Sequence, residues 1–386
     1  MNVAQILCSG GFGGAEAVAC SLTRALASSV DRSVLYLVQE TRSGPESCAR
    51  LVERARGYDI DIRLFETHDR TSRDLFGQLR QAFVEDQIDV AHSHNYKVAA
   101  FSAVISRMPA TSYPGASVFT VHGFDQHTLK GIAFLHSVNA LGAYLNHAIV
   151  GVSKPLCDYY RRLPMLASKT HLIPNSVIDP LTEDLAALRA GRVAARQALA
   201  ERYPALDPDA VWVAWVGRLV PVKNIELMLE IAATLGTVGR VQLLVAGDGP
   251  LRDTLQQGIE RRSLGDRVVA LGQIEQIDRL YRSVDALLMT SDSEGSPMVL
   301  LEAMSYGLPL VSTAVGGVPD LLFDGDNGLL FPAGDAAAGR AALASLVGDA
   351  ALRDRLGASG HHKANHDFHW TRWAERHVAA YEAALG

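Results

Sequence analysis

Short apolar runs alternate with segments of helical period along most of the chain. Such runs, bounded by turn residues, read as parallel strands joined by helices. In the first half strands are expected at Val3–Cys8, Ser33–Val38, Val90–Ser93, Val118–Val121 and Ala148–Val152, with helices such as Ala15–Ser28 and Ser72–Glu85 between them. The second half repeats the pattern at Val211–Val216, Gln242–Ala246, Val268–Leu271, Ala286–Thr290 and Leu310–Thr313, with helices such as Ile225–Leu235 and Leu251–Arg261. The pattern predicts an α/β fold of two Rossmann-like, doubly wound domains. Pro174-Asn175 and Asp179-Pro180 are turn signals, and the charged stretch on to Arg196 reads as an irregular boundary. Ligands of open α/β sheets sit beyond the carboxyl ends of the strands. Two such domains facing each other would set those loops across a central cleft.

Composition narrows the class. At 386 residues the chain is too long for one ordinary core and suits two. It is 48% hydrophobic and 20% charged, as in soluble globular proteins. A net charge of -6 argues against a nucleic-acid partner. Cys8, Cys20, Cys48 and Cys157 show no C-x-x-C spacing, so free thiols are expected. No apolar run approaches the roughly 20 residues that span a bilayer. No Lys or Arg precedes Arg24, so the start lacks the basic pattern of a signal peptide. The chain is expected in the cytoplasm, with any membrane contact peripheral.

Three loops carry candidate chemistry. Ser9-Gly10-Gly11-Phe12-Gly13-Gly14-Ala15-Glu16 links the first strand to the first helix. Glycines admit a ligand close to the backbone, and a helix N-terminus attracts phosphate. Glu16 departs from the dinucleotide fingerprint, although Glu40 at the end of the second strand could mimic its ribose-binding acid. In the second loop Gly217-Arg218-Leu219-Val220-Pro221-Val222-Lys223-Asn224 lies between a strand and a helix. Arg218 offers a planar fork of donors and Lys223 a point charge, which suits a diphosphate; a solvated basic pair is about as plausible from these residues alone. The third loop leads into Ser293-Glu294-Gly295-Ser296-Pro297-Met298-Val299-Leu300-Leu301-Glu302. Here Ser296 is expected to cap a helix with Pro297 as its first residue, and Gly307 and Pro309 to end it. Glu294 then sits before the helix and Glu302 within it. Read without other motifs, this is a capped helix with solvated glutamates.

Taken together, these residues resemble glycosyltransferase family 4, of the GT-B fold. The resemblance covers nearly the whole chain. It rests on Gly13-Gly14-Ala15-Glu16, Thr120-Val121-His122-Gly123, Val152-Ser153-Lys154, Ile173-Pro174-Asn175, Gly217-Arg218 with Lys223, and Gly247-Asp248-Gly249-Pro250. Gly272, the Glu294/Glu302 pair, Gly316-Gly317-Val318-Pro319 and Asn327-Gly328 complete it in order. It implies an acceptor domain over 1–175, a nucleotide-sugar donor domain over 176–366, and a last segment, 367–386, returning to the first domain. It implies a retaining hexosyltransferase that uses a UDP-sugar and no metal or other cofactor. The acceptor would be a glycan or a lipid-linked sugar, in bacterial cell-surface polysaccharide, lipopolysaccharide or glycolipid synthesis. Arg218 and Lys223 would bind the diphosphate, and Gly13 and Gly14 would approach it. Glu294 would hold the transferred sugar beside the amides of Gly295, Ser296, Pro297 and Met298, Glu302 the ribose, and Gln273 and Ile274 the base. His122 would face the sugar and the acceptor. Ser296 replaces a frequent Phe, Asp320 a frequent Glu and Ser176 a frequent Gly; the first bears on sugar selectivity.

Other constellations compete. Asp324-Gly325-Asp326 has a metal-binding spacing but continues into Asn327-Gly328, the signature of a surface turn. His92, His94 and His122 fall at strand ends and could converge as zinc ligands, line an acceptor cleft or simply hydrogen-bond. His362, His366 and His369 could share a helix face. No G-x-S-x-G elbow or P-loop is present. A nucleotide-sugar epimerase of the same fold, an NAD-dependent dehydrogenase and a non-catalytic sugar-nucleotide module remain as alternatives.

Overall fold

The structure, a computed structural model, describes residues 1–9, 13–40, 48–67, 73–108, 115–123, 140–177, 181, 183–235 and 239–386. Gly10, Gly11, Phe12, Asp179 and Pro180, singled out above, lie outside the described residues. The chain divides into two compact units, Met1–Ile178 with Trp370–Gly386, and Asp179–His369.

The first unit runs β1 (Asn2–Ser9), α1 (Gly14–Leu26), β2 (Arg32–Glu40), α2 (Ala49–Gly57), β3 (Asp61–Thr67), α3 (Arg73–Glu85) and β4 (Val90–Ser93). It continues with α4 (Tyr96–Ile105), β5 (Ala116–Val121), α5 (Ala140–Leu145), β6 (Ala148–Gly151), α6 (Lys154–Arg161) and β7 (Thr170–Leu172). The strands form a parallel sheet in the order β3-β2-β1-β4-β5-β6-β7. Its central strands are apolar on both faces, as a sheet covered by helices on both sides requires. Ala4, Ile6, Tyr36 and Val38 pack with Leu75, Leu79 and Phe83, while Leu7, Leu35 and Leu37 pack with Ala19, Cys20 and Leu51.

The second unit runs α7 (Leu185–Arg202), β8 (Val211–Val216), α8 (Ile225–Ala232), β9 (Val241–Ala246), α9 (Arg252–Arg261), β10 (Val268–Gly272) and α10 (Ile277–Ser283). Then follow β11 (Ala286–Met289), α11 (Met298–Ser305), β12 (Leu310–Thr313), α12 (Val318–Leu321), β13 (Leu329–Phe331), α13 (Ala336–Gly348) and α14 (Ala350–His366). Its parallel sheet has the order β10-β9-β8-β11-β12-β13. The last helix, α15 (Trp370–Leu385), belongs to the first unit. In both sheets the order reverses beside the first strand, between β1 and β4 and between β8 and β11. That reversal opens the crevice where doubly wound sheets take their ligands.

Three strands escape the sequence pattern, and all three are edge strands: β3, β7 and β13. β3 carries Asp61, Arg63 and Glu66 and leaves Leu64 52% exposed, so it has no continuous apolar run. The other two are three residues each. The stretch expected to be irregular before Arg196 instead forms most of α7. Asp184 caps it by accepting from the Ala187 amide at 2.8 Å. Its Ala, Leu and Arg content favours helix, but only Leu188 and Leu199 are buried, so it shows no broad apolar face.

Glycine decides how the second unit's loops meet. Gly247, at φ +148°, lies so near the loop after β8 that a Cβ there would stand 1.9 Å from the Gly217 carbonyl oxygen. Gly247→Ala is therefore expected to lower stability by about 2–3 kcal/mol through clash and strain. A fall in the urea midpoint of unfolding would report it; an unchanged midpoint would show that the loops separate without cost.

Candidate active site

The loops on either side of the second unit's reversal are joined by a dense set of hydrogen bonds. After β8, Pro221–Lys223 makes one 3₁₀ turn. Asn224 then takes a left-handed conformation, φ 48° and ψ 65°, which Asn tolerates better than most residues. Its side-chain oxygen caps α8 by accepting from the Leu227 amide at 3.0 Å, and its amide nitrogen donates to Asp292 at 2.8 Å. Asp292 also donates its backbone N–H to the Val222 carbonyl at 2.8 Å. Thr290 donates to the Lys223 carbonyl at 3.0 Å and accepts from the buried Trp215 indole at 3.1 Å. These bonds fix the loop after β8 against the loop after β11.

Lys223 and Glu294 meet on that frame. The Lys223 ammonium donates to Glu294 Oε1 at 2.5 Å, and Ser291 Oγ donates to the same oxygen at 2.6 Å. The pair is largely screened from water, with side-chain exposures of 20% and 11%. The Glu294 main chain is held from a third loop. Gly317 donates to its carbonyl at 3.1 Å, and Gly316, at φ +52°, would carry a Cβ 1.8 Å from that oxygen. Thr313 donates to the Ser291 carbonyl at 2.7 Å. Arg218, in the same loop as Lys223, is exposed and forms no ion pair among the described residues. A cation without a carboxylate partner and a lysine shared with a glutamate make this crevice suited to an anion bearing hydroxyls.

The entry to α11 differs from expectation. Pro297 is the cap itself, at φ -69° and ψ 116°, and the helix starts at Met298. The extended ψ of Pro297 moves the first helical residue on by one; Ser296 is buried just before it. Glu302 lies one turn into α11 and accepts from the Tyr281 hydroxyl at 2.8 Å. Burial raises the Tyr281 pKa far above its usual range, and the neighbouring Glu302 charge adds to it, so this phenol stays a donor. Gln273 and Ile274 follow Gly272, whose carbonyl accepts from Gly247 at 2.8 Å. Both residues line a cavity of about 620 Å³ that also takes in Leu199, Arg202, Tyr203 and Arg279. That cavity reaches none of Arg218, Lys223, Glu294 or Glu302. Sequence reasoning missed Ser291 and Tyr281. Ser291 shares the Glu294 loop and could have been found there, whereas Tyr281 reaches Glu302 only through tertiary packing.

In the first unit Gly13 and Gly14 are exposed at the start of α1, with Gly13 extended at the cap and accepting from the Ala17 amide at 3.0 Å. His92, His94 and His122 do converge. Their rings stack in series, with centroids 4.7 Å and 5.2 Å apart. His94 Nδ1 lies 3.0 Å from His122 Nε2, and His92 contacts the Tyr381 hydroxyl and Thr120. His377 of α15 joins the group, its ring 5.7 Å from His92. Burial is the main cause that holds these imidazoles neutral. It lowers His92 and His94 well below the usual range and His122 and His377 to about 4.

The remaining constellations are structural. Gly325 makes a turn at φ +75°, Asp324 accepts from the Leu330 amide at 2.9 Å, and Asp326 pairs with Ser359 and Lys363. His362 and His366 stack on α14, but His369 lies beyond its end. No group of three or more His, Cys, Asp or Glu among the described residues is arranged to hold a metal. All four cysteines are buried. No helix among the described residues is long and apolar enough to cross a membrane.

Two parallel-sheet units, each with its polar loops at a strand-order reversal, are the parts of a GT-B fold, and the solved structures the chain resembles share it. Comparison with known proteins carries this to a family. The model described as Glycosyltransferase Family 4 matches residues 12–179, and that for Glycosyl transferases group 1 matches 202–363. Together they take in most of the chain, which belongs to the family 4 glycosyltransferases. N-acetyl-alpha-D-glucosaminyl L-malate synthase of Bacillus anthracis is 23% identical over 80% of this chain and 77% of its own length. Alpha-D-kanosaminyltransferase of Streptomyces kanamyceticus is 37% identical, but over 42% of each chain. In fold the chain is similar to HepE of Anabaena, with TM-score 0.80, 19% identity and 99% of both chains covered.

The buried histidines make a prediction about pH. Their folded pKa values lie below the ordinary histidine value of about 6.5. As pH falls below that value, the unfolded chain gains protons that the folded one does not. Stability should thus decline between pH 6.5 and about 4, the value to which His122 and His377 are lowered. Thermal midpoints measured from pH 7.5 to 4.5 should fall, with a shallower slope in His94→Gln. Identical slopes would contradict the burial of neutral His94.

Proposed function

We propose that the chain is a retaining hexosyltransferase that moves a sugar from a UDP-sugar to an acceptor hydroxyl. The observation that carries this is the meeting of Lys223 and Glu294 beside Arg218 at the reversal of the second sheet. Arg218 and Lys223 bind the diphosphate, Glu302 the ribose, and Gln273 and Ile274 the base. Lys223 is paired with Glu294. An arriving diphosphate competes for the ammonium, and Glu294 is then available to accept from sugar hydroxyls. The amides of Gly295, Ser296 and Met298 lie next to it. In the first unit Gly13 and Gly14 open α1 as an anion-binding turn, and His122 receives a hydroxyl of the sugar or acceptor.

The sugar–phosphate bond begins to break as positive charge builds on the ring. The acceptor oxygen bonds to the anomeric carbon on the face the diphosphate leaves, and its proton passes to a leaving phosphate oxygen. Stabilising the departing charge is the main task of the enzyme, and Arg218 and Lys223 supply it without a metal. HepE, whose structure is described with UDP and glucose, shares the fold, which supports a UDP-sugar. The acceptor is a glycan or lipid-linked sugar of the bacterial surface, reached in the cytoplasm or at the inner face of the membrane.

Glu294→Ala, Arg218→Ala and Lys223→Ala should each lower the transfer rate by about a hundredfold or more with the fold intact. Full activity in all three, assayed by release of UDP in the presence of acceptor, would overturn the assignment. Wild-type activity should survive EDTA; loss that a divalent ion restores would contradict the metal-free mechanism.

A further inference from the structure

Six polar groups of the first unit form one continuous hydrogen-bond chain with a single sense of donation. Gln5 comes from β1, His92 and His94 from β4 and the turn after it, Thr120 from β5, His122 from just beyond β5, and Tyr381 from α15. All are buried except His122, which is half-buried at the end of the hydrogen-bond chain. Gln5 Nε2 donates to the Tyr381 hydroxyl at 3.1 Å. Tyr381 lies 2.7 Å from His92 Nδ1, and His92 Nε2 lies 2.6 Å from Thr120 Oγ1. On the other side His94 Nε2 lies 2.8 Å from Gln5 Oε1, and His94 Nδ1 lies 3.0 Å from His122 Nε2.

The proton on each ring follows from what its partners can do. Gln5 Oε1 only accepts, so His94 Nε2 carries a proton. A neutral His94 then has a bare Nδ1, and His122 Nε2 must be the donor to it. The Tyr381 hydroxyl accepts from Gln5, and His92 Nδ1 is the acceptor among the described residues that can take its proton, so it donates there, which leaves His92 Nε2 to donate to Thr120. Each ring is the Nε2–H tautomer, and every ring is neutral because burial holds it so. The remaining nitrogen of His122, Nδ1, has a lone pair and no hydrogen-bond partner among the described residues. The sense of the whole chain is set at one group. Turning the Gln5 amide over would reverse each bond and place a proton on His122 Nδ1.

We infer that Gln5 is a positioning residue which, through His94, fixes His122 as a hydrogen-bond acceptor toward its ligand. The group His122 recognises is therefore a donor: a hydroxyl, not a phosphate or carboxylate oxygen. This rests on the function proposed above only in calling that hydroxyl one of the sugar or acceptor. Tyr381 makes the last helix part of the device, because it meets Gln5 and His92 together.

The test has two arms. Long-range ¹H–¹⁵N correlation spectra of the full-length protein with ¹⁵N-labelled histidine at pH 7 read the tautomers directly. Neutral Nε2–H forms are expected for His92, His94 and His122; a proton on His122 Nδ1, or a charged ring, overturns the inference whether or not the chain transfers sugar. The second arm is Gln5→Met, which keeps size and removes both bonds. His122 should lose its single tautomer, and kcat should fall by about tenfold to a hundredfold with KM for the UDP-sugar within about twofold. An unchanged kcat, or an equal loss with His122 still in the Nε2–H form, would reduce Gln5 to packing. If wild-type protein transfers no sugar from any donor, the proposed function fails while the spectra still decide the tautomer.

Discussion

Beyond β8, β9 and β10 the backbone of the second unit is packed so closely that its loops touch main chain to main chain. Gly217 donates to the Ala246 carbonyl at 3.0 Å, Gly247 to Gly272 at 2.8 Å, and Leu219 to Asp248 at 2.9 Å. A Cβ at Gly249 would stand 2.6 Å from the Leu219 carbonyl oxygen. The same constraint recurs at Gly316 against Glu294. Side chains are excluded from these contacts, and the hydrogen bonds left in their place make the loops rigid. The main chain that carries Arg218, Lys223 and Glu294 is thereby fixed by backbone contacts. Lys223 and Glu294 lie in contact on that frame, with Ser291 donating to the same carboxylate oxygen.

The first unit meets the same demand with side chains. Beside the glycine loop that follows β1 stand stacked imidazoles, and neutral rings hydrogen-bond one another where charged rings would repel. Burial supplies the neutrality and the bonding chain supplies the orientation. The two units share strand order but not electrostatics: one presents cations and a carboxylate, the other presents neutral donors and acceptors.

The α/β class and the family could be read from the chain because central parallel strands are continuous apolar runs and the glycine motifs stand at their ends. Edge strands β3, β7 and β13 could not, since an edge strand is short or half-exposed and carries charge. Helix α7 was missed because propensity and a cap form it without a broad apolar stripe. Among the site residues, the sequence marks Lys223 and Glu294 but not their contact, which depends on Thr290, Asn224 and Asp292 tying two loops together. Pro297 shows a limit of local rules, because its extended ψ shifted the helix start by one residue. Gln5 and Tyr381 are 376 positions apart in the chain and meet at 3.1 Å. No periodicity brings such residues together; only the return of the last helix to the first sheet does.

The most direct measurement is titration calorimetry of the full-length protein with UDP, UMP and uridine in metal-free buffer. If Arg218 and Lys223 form a diphosphate site, UDP should bind at least about tenfold more tightly than UMP, a difference of about 1.4 kcal/mol or more. Equal affinity for UDP and UMP, or binding of UDP only when a divalent ion is added, would contradict the account of this crevice.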